Sequence, residues 1–188
     1  DGMVWVDDAL YVIDNNYTLR KYTLSDSTLY EENSFSLYTG SYGITYDGEY
    51  LWIGDSYEGS SVRAYTLDGN YTGTSFNSPV WDRKALTYDG EYFLIHDYNY
   101  NNPTIYQVDY NGNIIDQFYA NINNMDAYQS VWVPQYHDGH LWVSTDNGTL
   151  AQLRLEDGTA EIVQEFSHSE GTVYSLAHDG RDLWINSD

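Results

Sequence analysis

A histidine beside a carboxylate is the residue pair in this sequence that most directly suggests acid–base chemistry. His96 precedes Asp97 at the end of an apolar run, and an imidazole next to a carboxylate can exchange protons near neutral pH. His137 and His140 flank an Asp-Gly pair. A turn at that pair would place them on successive strands, without an evident third ligand for zinc. A secreted hydrolase or lyase that uses loop carboxylates and His96 is therefore one hypothesis.

Carboxylates recur at regular intervals and suggest a second kind of chemistry. Hard cations such as calcium bind several oxygen ligands, and Asp55, Asp97 and Asp146 are the candidate ligands. The alternative is that each Asp caps its own turn by bonding to the local backbone. The sequence has no EF-hand loop, no serine nucleophile elbow and no phosphate-binding glycine loop. The full set of these residues is Asp14, Asp55, Asp97, Asp146 and Asp188.

The net charge limits the partners that the protein can bind. The formal charge is −22, from 29 acidic residues against 7 Lys and Arg. A surface with this charge repels the phosphates of nucleic acids and of anionic lipids, and no apolar run is long enough to span a bilayer. We expect no nucleic acid partner and no membrane insertion. The charge suits cations, neutral ligands such as sugars, or a halophilic source, in which salt screens the repulsion.

Cysteine usage and glycosylation motifs bear on the compartment. The chain has no cysteine, which excludes disulfides, thiolate metal sites and thiol catalysis. Sequons for N-linked glycosylation begin at Asn16, Asn70 and Asn147. Together with the acidic charge, they favour an extracellular or cell-surface location.

A repeat of just over 40 residues organises the chain. The segment YDGEYLWIGD at 46–55 recurs as YDGEYFLIHD at 88–97, HDGHLWVSTD at 137–146 and HDGRDLWINSD at 178–188. A diverged copy, VDDALYVID, lies at 6–14. Copies in phase along the chain indicate a repeat architecture. The alignment places these aromatic residues in equivalent positions: Tyr11, Trp52, Phe93, Trp142 and Trp184.

Each repeat has the pattern of four antiparallel strands. An apolar run, such as VWVPQY at 131–136, precedes the Asp-Gly turn, and the aromatic-centred strand follows it. A third strand ends at a second turn: Asp68-Gly69, Asn111-Gly112 or Asp157-Gly158. A fourth strand ends near Phe35, Phe76, Phe118 or Phe166. No segment shows a helical period, so the sequence predicts an all-β fold.

Four short strands, two tight turns and this period are typical of a propeller blade. The chain resembles the β-propeller superfamily, in the style of the streptogramin-lyase-like and NHL-type propellers, which carry an Asp-Gly turn before a Leu-Trp-Val strand. The resemblance implies a single propeller domain over residues 1–188, with about five blades. The expected blades are 3–35, 42–76, 84–119, 130–166 and a two-stranded half blade at 172–188. A solenoid of stacked sheets is the competing architecture.

The half blade leaves the closure of the ring open. The chain could be a piece of a longer protein, or the ring could close with a thin last blade. Alternatively, the edge at Leu183, Trp184 and Ile185 could pair with a strand of a neighbouring chain, because an unpaired edge has free backbone donors and acceptors. If the neighbour were another copy, head-to-tail contacts could build a filament.

The resemblance also implies a binding face. In propellers, the loops between the second and third strands share one face with the loops between blades. Aromatic rings flanked by Asn, Asp and Ser suit sugars, because a ring covers C–H groups while polar neighbours bond hydroxyls. The alternative is that these tyrosines pack one blade against the next. The candidate ligand-binding residues are Tyr57, Trp81, Tyr98, Tyr100, Tyr128, His96 and Arg83.

The sequence thus predicts a non-enzymatic extracellular propeller that acts in binding, adhesion or surface assembly. Its expected partners are a glycan or surface polymer, or copies of itself joined by strand addition, and calcium is the one cofactor suggested. The alternatives are a structural subunit of an extracellular filament and the secreted hydrolase or lyase described above.

Overall fold

The structure is a computed structural model that describes residues 2–38, 40–55, 60–81, 85–96, 103–120, 122, 125–136, 140–145, 148–168 and 171–187, with the backbone alone at 125–128. All regular structure in these residues is β-strand, so the prediction of an all-β fold is confirmed. They include no helix of the length and apolar character needed to cross a membrane.

The strands group into consecutive units that follow the sequence repeat. Unit 1 is β1 (Met3–Val6), β2 (Ala9–Ile13), β3 (Thr18–Ser25) and β4 (Thr28–Ser36). Unit 2 is β5 (Ser41–Tyr46), β6 (Leu51–Asp55), β7 (Ser61–Tyr65) and β8 (Tyr71–Asn77). Unit 3 is β9 (Ala85–Tyr88), β10 (Phe93–His96), β11 (Thr104–Val108) and β12 (Ile114–Ala120). Unit 4 is β13 (Met125–Trp132), β14 (Leu141–Thr145), β15 (Thr149–Glu156) and β16 (Thr159–Ser167), and unit 5 is β17 (Val173–His178) and β18 (Leu183–Ser187).

Sheet pairing is antiparallel within every unit. Units 1 and 2 are separate four-stranded sheets, and unit 5 is a two-stranded sheet. Units 3 and 4 form one eight-stranded sheet, because β12 and β16 pair in parallel through Tyr119–Thr159 and Ala120–Ala160. The end strands of that sheet, β9 and β13, also contact each other, so it nearly closes on itself.

The first strands of the units contact one another in a closed cycle. Strand β1 contacts β5, β5 contacts β9, β9 contacts β13, β13 contacts β17, and β17 returns to β1. Apolar side chains fill the space between successive units. Between units 1 and 2, for example, Leu19 packs with Leu51 and Ile53, and all three are at most 1% exposed. Full burial of one such side chain is worth about 1.5–3 kcal/mol, so these layers stabilise the arrangement.

The Asp of the first turn holds its unit together by a repeated set of hydrogen bonds. In unit 2, Oδ1 of Asp47 accepts from the amides of Glu49 and Tyr50, each at 2.8 Å. Its Oδ2 accepts from the indole nitrogen of Trp52 at 2.7 Å. In unit 5, Asp179 bonds the Trp184 indole at 2.8 Å in the same way. In units 2 and 5 the carboxylate therefore forms the turn and also accepts from the indole N–H of the next strand.

The sequence alignment of unit 3 differs from the observed register. Trp52 pairs with Thr45, and Leu94 pairs with Thr87, so Leu94 is the equivalent of Trp52. Phe93, which the sequence alignment placed there, lies one residue earlier and faces the other side of the sheet. Aligning on aromatic character shifted unit 3 by one residue, because that unit has Phe at the neighbouring position.

The first strand of unit 4 also begins earlier than expected. The apolar run at 131–136 was predicted to be a strand, but β13 ends at Trp132 and the chain then turns, with the amide of Tyr136 donating to Val133 O at 3.3 Å. Pro134 lies in this turn and has no amide proton for a sheet hydrogen bond. The strand instead extends back to Met125.

Candidate functional site

The candidate binding surface is one end of the sheets. This end carries the loops between second and third strands and the loops between units. Strands alternate in direction, so both kinds of loop lie at one end of the molecule, which we call the loop end. A repeated backbone hydrogen bond joins the two loops of each four-stranded unit. The donor and acceptor pairs are Leu37–Tyr17 at 2.9 Å, Ser78–Ser60 at 2.8 Å, Ala120–Pro103 at 3.0 Å and His168–Gly148 at 3.3 Å.

Among the large hydrophobic residues that the structure describes, Trp81 is the most exposed, at 78%. It follows Val80, which is 5% exposed and packs among the side chains between units 2 and 3. The carbonyl of Val80 accepts from the Ser60 hydroxyl, and its amide donates to Ser78 Oγ at 3.1 Å. The residue before Trp81 is thus anchored, and the indole projects into solvent at the loop end.

Two tyrosines form a second aromatic feature at the loop end. The rings of Tyr17 and Tyr42 meet edge to face with their centroids 6.1 Å apart. Tyr17 has a positive φ of 56°, the left-handed conformation that the tight loop before β3 requires. Both rings are half-buried, so this pair joins units 1 and 2 and also presents ring edges at the surface.

The remaining predicted ligand-binding residues of the loop end lie largely outside the described residues. This holds for Tyr57, Arg83, Tyr98 and Tyr100. Tyr128 lies on the backbone of β13, in the first strand of unit 4. Of the predicted aromatic set, Trp81 is therefore the member whose position and exposure the structure defines.

His96 lies at the end of β10 and is fully buried, at 0% exposure. Within the described part of the chain, neither ring nitrogen has a hydrogen-bond partner. Burial lowers the pKa of His96 to about 3, because the charged imidazolium would lose its hydration. The ring is thus neutral at physiological pH and out of reach of a ligand at the surface. Its predicted partner Asp97 lies outside the described residues.

The repeated acidic residues take different roles from unit to unit. Asp55 is 2% exposed, and its Oδ2 accepts from the Arg63 guanidinium and, at 3.0 Å, from Ser61 Oγ. A calcium ion bound through Oδ2 would have to displace that guanidinium, whereas Oδ1 has no hydrogen-bond partner among the described residues. In unit 1, Asp14 similarly accepts from Arg20 Nε at 2.8 Å.

In unit 4, register gives this position to Thr145, which pairs with Thr149. Asp146, the residue predicted there, and Asp97 lie outside the described residues. The hydroxyls of Thr145 and Thr149 are 2.6 Å apart, so a neutral pair occupies the place of the carboxylate. Across the residues that the structure describes, no group of three or more His, Asp or Glu side chains is arranged to hold a metal ion.

Arg63 also takes part in an aromatic cluster that the sequence alone did not indicate. Its guanidinium carbon lies 4.4 Å from the centroid of the Tyr38 ring, a cation–π contact. Tyr38 meets Tyr71 edge to face at 6.4 Å. Both tyrosines are exposed, at 51% and 39%. Tyr38 belongs to the segment after unit 1, whereas Arg63 and Tyr71 belong to unit 2, and no spacing rule brings these residues together.

A cavity of about 150 Å³ lies among the first strands of the five units. Gln129 crosses it, and its amide nitrogen donates to Ile44 O at 3.1 Å and to Met3 O at 3.5 Å. One side chain of unit 4 thus connects units 1 and 2. Buried acceptors otherwise need a partner, so this bond contributes to the arrangement of the first strands.

The predicted assembly edge lies on unit 5. Leu183, Trp184 and Ile185 belong to β18 and are half-buried. Leu183 and Ile185 pack on unit 4, whereas Trp184 contacts Trp5 of unit 1 with ring centroids 5.3 Å apart. Within the described residues, β18 pairs with β17 alone. The sequons at Asn16 and Asn70 are exposed, and Asn147 lies outside the described residues.

Comparison with known proteins supports the fold alone. The sequence matches no known family, and no curated protein is similar to it in sequence. The structure is similar to Myxococcus xanthus glutaminyl cyclase, with a TM-score of 0.69 and 12% identity over 100% of this chain and 84% of that chain. It is also similar to a chain of the mitotic checkpoint complex, with a TM-score of 0.55 and 12% identity over 96% and 68% of the two chains.

A third similar structure is a protein of unknown function from Bacteroides caccae, with a TM-score of 0.56 and 11% identity. The match covers 93% of this chain, and this chain spans only 65% of the length of that protein. The glutaminyl cyclase and the checkpoint chain are propeller-like folds. At these identities the likeness shows that the chain has a propeller-like, all-β fold, and it assigns no activity.

Proposed function

We propose that the chain is a five-bladed β-propeller, with four complete blades and one of two strands, that works as a non-enzymatic binding module outside the cell or on its surface. The closed cycle of first strands supports the blade count. The net charge of −22 and the exposed sequons support the location. The loop end is the binding surface, and a neutral glycan or surface polymer is the ligand class.

The observation that carries this proposal is Trp81. An indole that is 78% exposed, next to a backbone anchored at Val80, presents a flat apolar face to solvent. Stacking of a sugar ring on such a face buries C–H groups at little entropic cost, because the side chain has few rotatable bonds. A neutral sugar also avoids the repulsion that an anionic ligand would meet.

The test is binding to immobilised neutral polysaccharides, measured for the full chain and for Trp81→Ala. We expect the variant to lose at least about tenfold in affinity, which corresponds to 1.4 kcal/mol. Tyr30→Ala is the matched control, because Tyr30 is 56% exposed but lies on β4 next to the turn at the opposite end. Equal binding by both variants, or no binding by the full chain, would refute the glycan role.

A second role is assembly through the edge of β18, which has no partner strand on its other side among the described residues. In this form, neighbouring molecules join by strand addition, and repetition builds a filament. Light scattering over a concentration series tests it. Growth into oligomers that Ile185→Pro abolishes is the expected result, whereas a monomer at all concentrations would exclude self-assembly.

A further inference from the structure

The first strands of the five units enclose the central cavity, which has a volume of about 150 Å³. Each first strand runs from the loop end to its first turn, so its last residue lies nearest to that turn. Most of these last residues line the cavity and are half-buried: Tyr46, Tyr88, Trp132 and His178. Deeper in the lining, Ile44 and Leu176 are at most 1% exposed. The cavity therefore opens at the end of the molecule opposite to the loop end, which we call the turn end.

Gln129 lies at the loop-end side of this cavity and forms its floor. It precedes the lining residues 130–132 along β13 and is 2% exposed. Its amide nitrogen donates to Ile44 O at 3.1 Å and to Met3 O at 3.5 Å, which engages both of its N–H bonds. These two carbonyls also fix the orientation of the amide, because its oxygen could not donate to them. The Oε1 of Gln129 has no hydrogen-bond partner among the described residues.

Ser130, the next residue along β13, adds a second polar group without a partner. It lines the same cavity and is 1% exposed. Its Oγ has no hydrogen-bond partner in the part of the chain that the structure describes. Buried polar atoms are nearly always paired with protein, water or a ligand. Two unpaired oxygens on adjacent residues of one cavity therefore point to an occupant that forms hydrogen bonds with both.

The charge of the lining favours a neutral occupant. No Asp, Glu, Lys or Arg lines the cavity among the residues that the structure describes. Burial lowers the pKa of His178, at the mouth, so its ring is neutral at neutral pH. A charged ligand would lose its hydration without an opposite charge beside it. The net charge of −22 attracts cations at long range, but it does not supply a counter-charge inside the cavity.

Volume and hydrogen-bonding capacity define the occupant further. The cavity has the volume of about five water molecules in the liquid, so a compound of about five to eight non-hydrogen atoms fits it. Gln129 Oε1 only accepts hydrogen bonds, so the occupant must donate, whereas the Ser130 hydroxyl can donate or accept. Val131 and Leu176 add apolar walls, which suit C–H groups. Neighbouring hydroxyl groups on a short carbon chain meet all of these conditions.

We propose that the central cavity is a binding site for a small neutral polyol, which enters from the turn end. One hydroxyl of the polyol donates to Gln129 Oε1, and a second forms a hydrogen bond with Ser130 Oγ. Its carbon chain lies against the apolar walls. This site is at the opposite end of the molecule from Trp81, so it is separate from the glycan role of the loop end and does not rest on it.

The test is a titration of the isotope-labelled full chain with glycerol, which lies in this size range, followed by NMR of the side-chain amides. We expect a saturable shift of the Gln129 amide signals, because its oxygen gains a donor. The amide of Gln117, which is exposed on β12, is the internal control and should not shift in this way. Equal shifts at both amides, or a shift that does not saturate, would overturn the proposal and leave water as the occupant of the cavity.

A matched pair of serine variants tests the second contact. Ser130→Ala should weaken glycerol binding by about two- to tenfold, the loss expected for one neutral hydrogen bond. Ser144→Ala is the control, because Ser144 is also 1% exposed and unpaired among the described residues, but it does not line the cavity. Neither substitution should lower Tm, since neither hydroxyl has a protein partner to lose. Equal affinity of the two variants for glycerol would overturn the assignment of the site.

Two further ligands test charge and size on the unmodified chain, and so do not depend on the folding of a variant. Aminopropanediol has the shape of glycerol but carries an ammonium group at neutral pH, and it should bind more weakly because the lining has no carboxylate. Glucose exceeds the size limit and should leave the Gln129 amide unchanged. Tighter binding of aminopropanediol would overturn the proposal in favour of a cation site. Saturable binding of glucose at Gln129 would overturn the assignment to a small polyol.

Discussion

The packing of Gly69 on Phe35 gives the sharpest test of how successive units fit together. Gly69→Ala introduces two costs. The first is a side chain at φ 73°, where an L residue is disfavoured by about 1 kcal/mol. The second is a methyl group within 2.6 Å of the Phe35 side chain, an overpacking that costs about 1–3 kcal/mol. We expect a total loss of about 2–4 kcal/mol in the free energy of unfolding.

Gly158→Ala separates these two costs. Gly158 has nearly the same backbone conformation, with φ at 74°, but its Cβ would meet nothing closer than Gln117 O at 3.8 Å. This variant should lose only the conformational cost of about 1 kcal/mol. The difference between the two variants therefore measures the contact between the turn of unit 2 and the outer strand of unit 1.

The assay is thermal and urea denaturation of both variants beside the unmodified chain. For a chain of this length, each kcal/mol shifts Tm by about 2–4 °C. Gly69→Ala should therefore melt several degrees below Gly158→Ala. Equal losses would refute the reasoning, because they would mean that Phe35 moves aside without cost.

Three further predictions concern buried polar groups. Asp47→Ala should lose about 3 kcal/mol in urea denaturation, because the Trp52 indole, at 2% exposure, would be left without its acceptor. His96 has a pKa in the folded state of about 3, below its ordinary value of 6.5, so its stabilising contribution is complete above pH 6.5 and is lost as the pH falls towards 3. The contribution of His96 to the free energy of unfolding should fall by about 2 kcal/mol between pH 7 and pH 5. In denaturation measured at both pH values, His96→Leu should remove this part of the loss of stability in acid. Asp55→Asn should lower the free energy of unfolding by about 2 kcal/mol at neutral pH. This is less than the usual loss for a buried ion pair, because Arg63 keeps some contact with solvent.

Each of these has a control of similar chemistry. Asp68→Ala, at an exposed turn, and Asp116→Asn, on the exposed strand β12, should each change stability by less than about 0.5 kcal/mol. His140→Leu, at a half-buried position, is the matched histidine substitution and is measured in the same series. If His96→Leu retained the full loss at pH 5, the burial of His96 would not be its cause.

Local chemistry explains how much of the fold could be predicted from sequence. The Asp-Gly pairs predicted turns, and Gly48, Gly90 and Gly180 have positive φ as such turns require. The second turns were predicted for the same reason and are confirmed at Gly69, Gly112 and Gly158. The strand alternation predicted an all-β chain, which is also confirmed. These features depend on residues close together in the chain.

Register was harder to predict, because a shift of one residue moves every side chain to the other face. The repeat segments at 46–55 and 88–97 align Leu94 with Trp52, whereas alignment on aromatic character chose Phe93. The pairing of Leu94 with Thr87 shows that Leu94 is the equivalent residue. Similarly, Asp146 looked like the acid that ends a strand, whereas pairing gives that position to Thr145.

The candidate sites show the same division. Sequence alone determined that aromatic residues, carboxylates and sequons recur in loops, and that unit 5 has two strands in these 188 residues. Only the tertiary structure decided that Trp81 is exposed while His96 is buried, and that Phe166 is uncovered while Phe76 is not. Exposure depends on which neighbouring unit packs over a residue, and that contact joins positions about 40 residues apart that no local pattern connects.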